Sequence, residues 1–142
     1  MWSPGNTGRF QCDFSAMLSP LLFDRFELPD LKRLCARHKH SIYHWDGTDA
    51  LVHEKSILEI DDLDVVQWVP GAGQPMVHKE KWWPLYYRIL DAGKRVALVG
   101  FDDVDDLVEM RKEFGGDWGH FFLRMTAPVQ EVAARIIEAC AG

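Results

Sequence analysis

Polar side chains stand near the ends of four predicted strands in this sequence. Asp13 closes the first, "RFQCDFSAM", and His44 and Asp46 lie two residues apart in "SIYHWD". Gln67 and Arg124 come late in "DVVQWV" and "HFFLRM". Carboxylates and an imidazole transfer protons, and a guanidinium binds anions. These residue types predict acid–base chemistry on a ligand that carries negative charge.

Alternation along "SIYHWD" assigns its side chains to two faces. Ile42, His44 and Asp46 share one face, and Tyr43 and Trp45 share the other. We expect the large aromatic rings to pack under helices, which directs His44 and Asp46 to the opposite side. In α/β folds with parallel strands, the carboxyl ends of the strands carry the active site.

The predicted site therefore combines two groups of residues. The catalytic candidates are Asp13, His44 and Asp46, and the substrate-binding candidates are Gln67, Trp68 and Arg124. Each of them alone also has a structural interpretation, because a single histidine in a strand is more often a satisfied structural residue than a ligand. Their joint position at strand ends favours a site.

Two other kinds of site have weaker signals. Imidazole and carboxylate both ligate zinc, but His44 and Asp46 are only two ligands and no third is evident, so no metal site is predicted. The "GAG" of "PGAGQP" lacks the spacing of a phosphate-binding loop and does not lead directly into a helix.

Strand and helix patterns alternate along the whole chain, which we predict to form a single domain over residues 1–142. After the first strand come predicted helices at 19–38, 47–60, 80–94, 102–116 and 126–142, separated by predicted strands at 41–46, 64–69, 95–100 and 120–125. Pro29 should kink or break the first helix. About five βα units in succession predict an α/β fold with a parallel sheet. An open doubly wound sheet and the C-terminal portion of a TIM (β/α)8 barrel are both compatible with this pattern.

Composition limits the class of protein. The net charge of -6 over 142 residues argues against nucleic acid or an anionic membrane as the main partner. No apolar run approaches the ~20 residues of a membrane span, and the N-terminus lacks a signal-peptide core, so we expect a cytoplasmic protein. Three widely spaced cysteines fit reduced thiols better than a disulfide framework.

Several stretches resemble the uroporphyrinogen decarboxylase superfamily, which includes corrinoid-dependent methyltransferases. The segment "CDFSAMLSPLLFDRFELPDLKRL" is similar to the family's strand, Leu-Ser-Pro turn and Phe-rich helix with an internal proline. "HWDG" resembles its His-x-Cys-Gly strand end, and "VVQWVPG" resembles its Asp-Trp strand. "RVALVG" and "TAPVQEVAARIIEAC" resemble its last strands and closing helix. The resemblance covers nearly the whole chain and implies the last five βα units of a barrel.

The resemblance implies a protein that acts on a tetrapyrrole, or one that belongs to a corrinoid-linked methyl-transfer system. His44 matches the family's zinc-binding histidine, but Asp46 stands where the methyltransferases have a cysteine, and "FFLRMTA" contains none. Zinc and a corrinoid are therefore only weakly implied. A non-catalytic truncated barrel and a module that binds a small cofactor are the alternatives.

The resemblance also implies a partner for the sheet. A barrel that lacks its first strands leaves strand edges unpaired, and such edges invite another chain. We therefore expect this chain to form a homo-oligomer or to pair with a separate N-terminal partner.

Overall fold

Five short strands form one parallel sheet in the order in which they occur along the chain. The computed structural model describes residues 4–101, 104–125 and 130–141. The strands are β1 (Thr7–Gln11), β2 (His40–Asp46), β3 (Val65–Val69), β4 (Arg95–Val99) and β5 (Phe121–Arg124). All four neighbouring pairs are parallel, and the order is β1-β2-β3-β4-β5. The α/β fold with a parallel sheet is thereby confirmed.

Helical segments connect the strands. The regular helices are α1 (Pro20–Leu22), α2 (Leu28–Ala36), α3 (Glu54–Leu58), α4 (Trp83–Asp91), α5 (Val104–Phe114) and α6 (Gln130–Ala141). Short 3₁₀ segments occupy Asp13–Met17, Thr48–His53, Glu80–Trp82 and Gly115–His120. Residues 102–103, 126–129 and 142 of the two predicted C-terminal helices lie outside the described residues.

The helices cover one face of the sheet. Tyr43, Trp45 and Trp68 are fully buried, and they pack in the main core with helix residues such as Leu31 and Ile89. Residues one position away along the strands point to the other face, because side chains alternate along a strand. In a doubly wound sheet the strand order reverses at a switch point, whereas here the order is consecutive. Within the described ranges, the other face of the sheet therefore has no helical layer.

The first strand is shorter than predicted and lies earlier in the chain. β1 ends at Gln11, and Asp13 begins the 3₁₀ turn that follows it. The strand prediction for residues 9–17 was therefore wrong at its C-terminal end. The turn is closed by the N–H of Ser15, which donates to the carbonyl of Cys12 at 2.9 Å.

Pro29 does not break the first helical segment. Ser19 caps its start with a side-chain oxygen that accepts from the Leu22 N–H at 3.4 Å. Between α1 and α2 the segment Phe23–Glu27 is a π-helix, in which the Leu28 N–H donates to the Phe23 carbonyl. A proline has no N–H for the regular ladder. The wider turn just before Pro29 lets the helix continue to Ala36.

The loop between β3 and α4 is held by aromatic donors. Trp82 and Trp83 donate their indole N–H groups to the carbonyls of Pro75 and His78, each at 3.0 Å. The hydroxyl of Tyr86 donates to the carbonyl of Val77 at 2.5 Å. Side-chain bonds of this kind satisfy loop carbonyls that no ladder can reach.

A buried lysine holds the opposite end of the sheet. The Nζ of Lys94, directly before β4, donates to the carbonyls of Ile60 and Leu63 at 2.6 Å and 3.0 Å. Burial lowers the pKa of this amine, and the nearby carboxylates of Asp61 and Asp64 oppose that effect. The ammonium thus stabilises the loop between α3 and β3 by binding two of its carbonyls.

Replacing Lys94 by methionine should lower the free energy of unfolding by about 2–3 kcal/mol, because two buried carbonyls lose a charged donor. Urea denaturation of both proteins measures this difference. Lys55→Met is the matched control, since the Lys55 side chain is 87% exposed and its loss should change stability by less than about 0.5 kcal/mol. Equal stability of Lys94→Met and wild type would contradict the assigned role.

None of the helices in the described ranges is both long enough and apolar enough to cross a membrane. The three cysteines form no disulfide.

Candidate functional site

The uncovered face of the sheet holds a cleft of about 620 Å³. Every strand contributes to its lining, through Arg9 of β1, Ile42 of β2, Gln67 of β3, Val99 of β4 and Arg124 of β5. The two edge strands can line one cleft only if the sheet curves towards its uncovered side. We call this depression the sheet cleft.

The strand register aligns side chains in rows across the sheet cleft. Gln11 pairs with His44, His44 with Gln67, Gln67 with Ala97, and Ala97 with Phe122. Paired residues on neighbouring strands point to the same face. One row therefore runs from polar groups on β1, β2 and β3 to apolar groups on β4 and β5.

His44 is at the centre of the polar half of this row. Arg9 Nη2 lies 3.4 Å from His44 Nδ1, and Gln67 Oε1 lies 3.3 Å from the same nitrogen. Arginine only donates, so its bond needs a lone pair on Nδ1, whereas the Gln67 oxygen only accepts and needs a proton there. The two bonds therefore exclude each other: Nδ1 can accept from Arg9 only without a proton and can donate to Gln67 only with one.

The floor of the sheet cleft is apolar. Ile42, Val65 and Ala97 are 7%, 6% and 5% exposed and form a small cluster separate from the main core. Phe122 and Val99 also point to this face and are more exposed. A floor of aliphatic and aromatic groups beneath a few polar side chains is typical of small-molecule sites.

The charges on this face are mainly positive. Arg9 and Arg124 line the sheet cleft, and Arg95 points to the same face because it lies two residues before Ala97 in β4. The strands contribute one carboxylate to this face, that of Asp46. A chain with a net charge of -6 thus presents a local excess of cations, which favours an anionic ligand.

Asp46 lies at the carboxyl end of β2, on the same face as His44. It is half-buried and pairs with Val69 of β3. Gly47 follows with a φ of 85°, and its N–H donates to the Val69 carbonyl at 2.9 Å. In the next loop, the backbone of Gly71 lies close to Gly47, because a Cβ added to Gly71 would be 3.6 Å from the Gly47 Cα. Small residues therefore keep the rim beside Asp46 open.

The structure separates two predicted site residues from the others. Asp13 is exposed in the turn after β1, where its Oδ2 accepts from Gln11 Nε2 at 3.4 Å, and it does not line the sheet cleft. Trp68 is fully buried on the helix-covered face, with its ring centroid 5.5 Å from that of Trp45 and 5.2 Å from that of Trp82. Gln67 and Arg124, in contrast, both line the cleft. His44 and Asp46 share its sheet face without lining it, and His44 contacts the lining residues Arg9 and Gln67.

Arg9 is a candidate that the sequence prediction did not include. Arg9 lies two residues before Gln11 on the same face of β1, and it contacts His44. Period-two alternation within the first strand was the signal that could have found it.

The side chains present do not fit a zinc centre. Among the described residues, no group of three or more His, Cys, Asp and Glu side chains could hold a metal ion. His44 has Arg9 and Gln67 as its neighbours, and a zinc centre needs at least three protein ligands.

Comparison with known proteins does not place the chain in a family, since no family model, no curated protein and no solved structure matches it.

Proposed function

We propose that this protein binds a polycarboxylate tetrapyrrole in the sheet cleft, as a uroporphyrinogen decarboxylase-like protein. The observation that carries the proposal is the combination of Arg9 and Arg124 with an apolar floor in one cleft of about 620 Å³. Tetrapyrroles carry carboxylates around a large apolar ring system, so both halves of the ligand have a counterpart. The resemblance of "HWDG" and "VVQWVPG" to that superfamily supports the same assignment.

The proposal gives roles to three groups of side chains on the uncovered face. Arg9 and Arg124 donate to carboxylates of the ligand, for which the planar guanidinium is well suited. Ile42, Ala97 and Phe122 contact the ring system. Asp46, at the open rim, accepts hydrogen bonds from pyrrole N–H groups.

His44 is the candidate proton donor. When a ligand carboxylate binds Arg9, His44 Nδ1 is free to carry a proton and donate it to Gln67 Oε1, and in the imidazolium form Nε2 carries a second proton. In decarboxylation the C–C bond to the carboxylate breaks, carbon dioxide leaves, and the electron pair stays on the methylene carbon. The Nε2 proton of the imidazolium then converts that carbon to a methyl group and leaves neutral His44 with its remaining proton on Nδ1.

The curvature of the sheet supports a further part of the proposal, namely that these five strands are arranged like a segment of a (β/α)8 barrel. Consecutive parallel strands with helices on one face are the repeating unit of that fold. The uncovered face of such a segment is the side that points into a barrel.

Quenching of tryptophan fluorescence by an octacarboxylate porphyrin tests the binding step. We expect saturable quenching that weakens with added salt, and much weaker binding of a porphyrin with alkyl groups in place of the carboxylates. Equal binding of both porphyrins, or of neither, would refute the proposal. Release of carbon dioxide from the reduced octacarboxylate substrate tests the lyase step, and binding without release would assign a binding module.

Cobalamin serves as the competing ligand in the same titration. Preferential binding of cobalamin would favour the corrinoid-linked alternative, which no contact in the sheet cleft specifically supports.

His44→Ala and Asp46→Ala should each weaken binding of the octacarboxylate porphyrin about tenfold, or about 1.4 kcal/mol. Neither variant should change the thermal melting temperature appreciably, since both side chains lie outside the main core. Ser56→Ala, at an exposed bond to Asp24 on the helical side, is the control for a polar truncation far from the cleft. Unfolding of both site variants would show that these residues are structural.

A further inference from the structure

Both edges of the sheet are open in the described part of the chain. β1 pairs only with β2, and β5 pairs only with β4. An unpaired edge presents a row of backbone donors and acceptors that can template pairing with another strand. Because the two edge strands run in the same direction, β5 of one molecule can continue the sheet into β1 of another as one more parallel pair.

The helices at the same two edges also have exposed apolar side chains. At the β5 edge, α6 packs on α5, where Arg111 Nη1 donates to the Ala139 carbonyl at 2.8 Å. Yet no residue of α6 is buried, and Ile137 is 67% exposed. An amphipathic helix without a buried face has surface available for a neighbour.

The β1 edge carries the corresponding apolar surface. Half of the exposed large apolar side chains lie in the segment that follows β1, namely Phe14, Met17, Leu21, Leu22, Phe26 and Leu34. Phe26 alone is 63% exposed. Exposed apolar patches of this kind mark interaction surfaces.

We infer that a second copy of this chain covers these edges, with β5 and α6 of one molecule against β1 and the α1–α2 segment of the other. Each molecule has both surfaces of this contact, one at each edge of its sheet, and the two edge strands run in the same direction. A two-fold axis parallel to the strands would form both contacts at once, so that two copies close the sheet and leave no edge. A head-to-tail contact that closes with two copies gives a dimer, whereas one that does not close gives filaments.

The sheet cleft is completed by this contact. Arg124 of β5 is brought beside β1 of the second copy, so a closed dimer surrounds the cleft with cationic strands from both molecules. The inference rests on the edges and exposed helices, and it does not depend on which ligand the cleft binds.

Sedimentation velocity of the whole 142-residue chain between 1 and about 100 µM tests the inference. We expect a dimer for the wild type. Phe26→Asp and Ile137→Lys, one on each edge, should each raise the dissociation constant at least tenfold. Val52→Asp is the matched control, because Val52 is 59% exposed on the Thr48–His53 turn between the central strands and should leave the dimer unchanged.

Mixing the two edge variants gives a sharper readout. A heterodimer of Phe26→Asp with Ile137→Lys has one wild-type contact and one contact that pairs aspartate with lysine, so the mixture should associate more tightly than either variant alone. Far-ultraviolet circular dichroism checks that each variant is folded. A wild-type monomer, dimers that resist both edge substitutions, or a mixture that fails to associate would each overturn the inference. Pairing only with a chain of different sequence would also overturn it.

Discussion

Replacing Arg9 and Arg124 together by glutamine should weaken binding of an octacarboxylate porphyrin by at least a hundredfold. Each charge-assisted hydrogen bond to a carboxylate contributes about 1.5–3 kcal/mol, and two such losses correspond to a factor of roughly a hundred or more. Fluorescence titration of the wild type and of the double variant measures the loss of affinity.

Arg33→Gln is the matched control for the loss of a guanidinium. Arg33 is exposed on α2, where it pairs with Asp30 at 2.9 Å, and its loss should leave porphyrin binding unchanged. If the double variant of Arg9 and Arg124 binds as tightly as wild type, the carboxylates do not occupy the sheet cleft.

Trp68→Ala should lower the free energy of unfolding by about 3–5 kcal/mol, because it deletes a fully buried indole and leaves a cavity. A loss of that size is a large fraction of the ~5–15 kcal/mol that stabilises an ordinary domain. The ring centroids of Trp45 and Trp82 lie 5.5 Å and 5.2 Å away, so the cavity would be bordered by two rigid groups. Guanidinium denaturation followed by circular dichroism measures the difference.

Trp68→Phe separates packing from ligand contact. We expect this variant to remain folded, to lose less stability than Trp68→Ala and to bind the porphyrin as tightly as wild type. Weaker porphyrin binding by Trp68→Phe at unchanged stability would instead place the indole at the ligand, as the sequence prediction had it. Tyr87→Phe is a surface control, because Tyr87 is partly exposed and bonds Glu113 at 2.6 Å.

Much of the fold follows from local patterns. Period-two alternation in "SIYHWD" predicted that Tyr43 and Trp45 pack under helices while His44 and Asp46 face the other side, and the structure confirms both assignments. Gly93, with a φ of 75° two residues after α4, ends that helix as expected. These features depend on neighbouring residues alone, so the sequence is sufficient to predict them.

Predictions that relied on position along the chain were less successful. The sequence prediction groups Trp68 with Gln67 because the two are adjacent, but adjacent residues of a strand point to opposite faces. The sequence prediction puts Asp13 at a strand end, but β1 stops at Gln11 and Asp13 lies in the turn that follows, outside the cleft. In both cases the backbone geometry between neighbours decided the outcome.

The alternation of strands and helices, the parallel sheet and the face that His44 and Asp46 share are all readable from the chain, because each follows from the periodicity of hydrophobic residues. The consecutive order of the strands, the curvature of the sheet around a cleft and the contact between Arg9 and His44 are visible only in the folded protein. The contact between Arg9 and His44 joins residues 35 positions apart on different strands. Such features depend on strand order, register and curvature, which arise only when all five strands and their helices pack together.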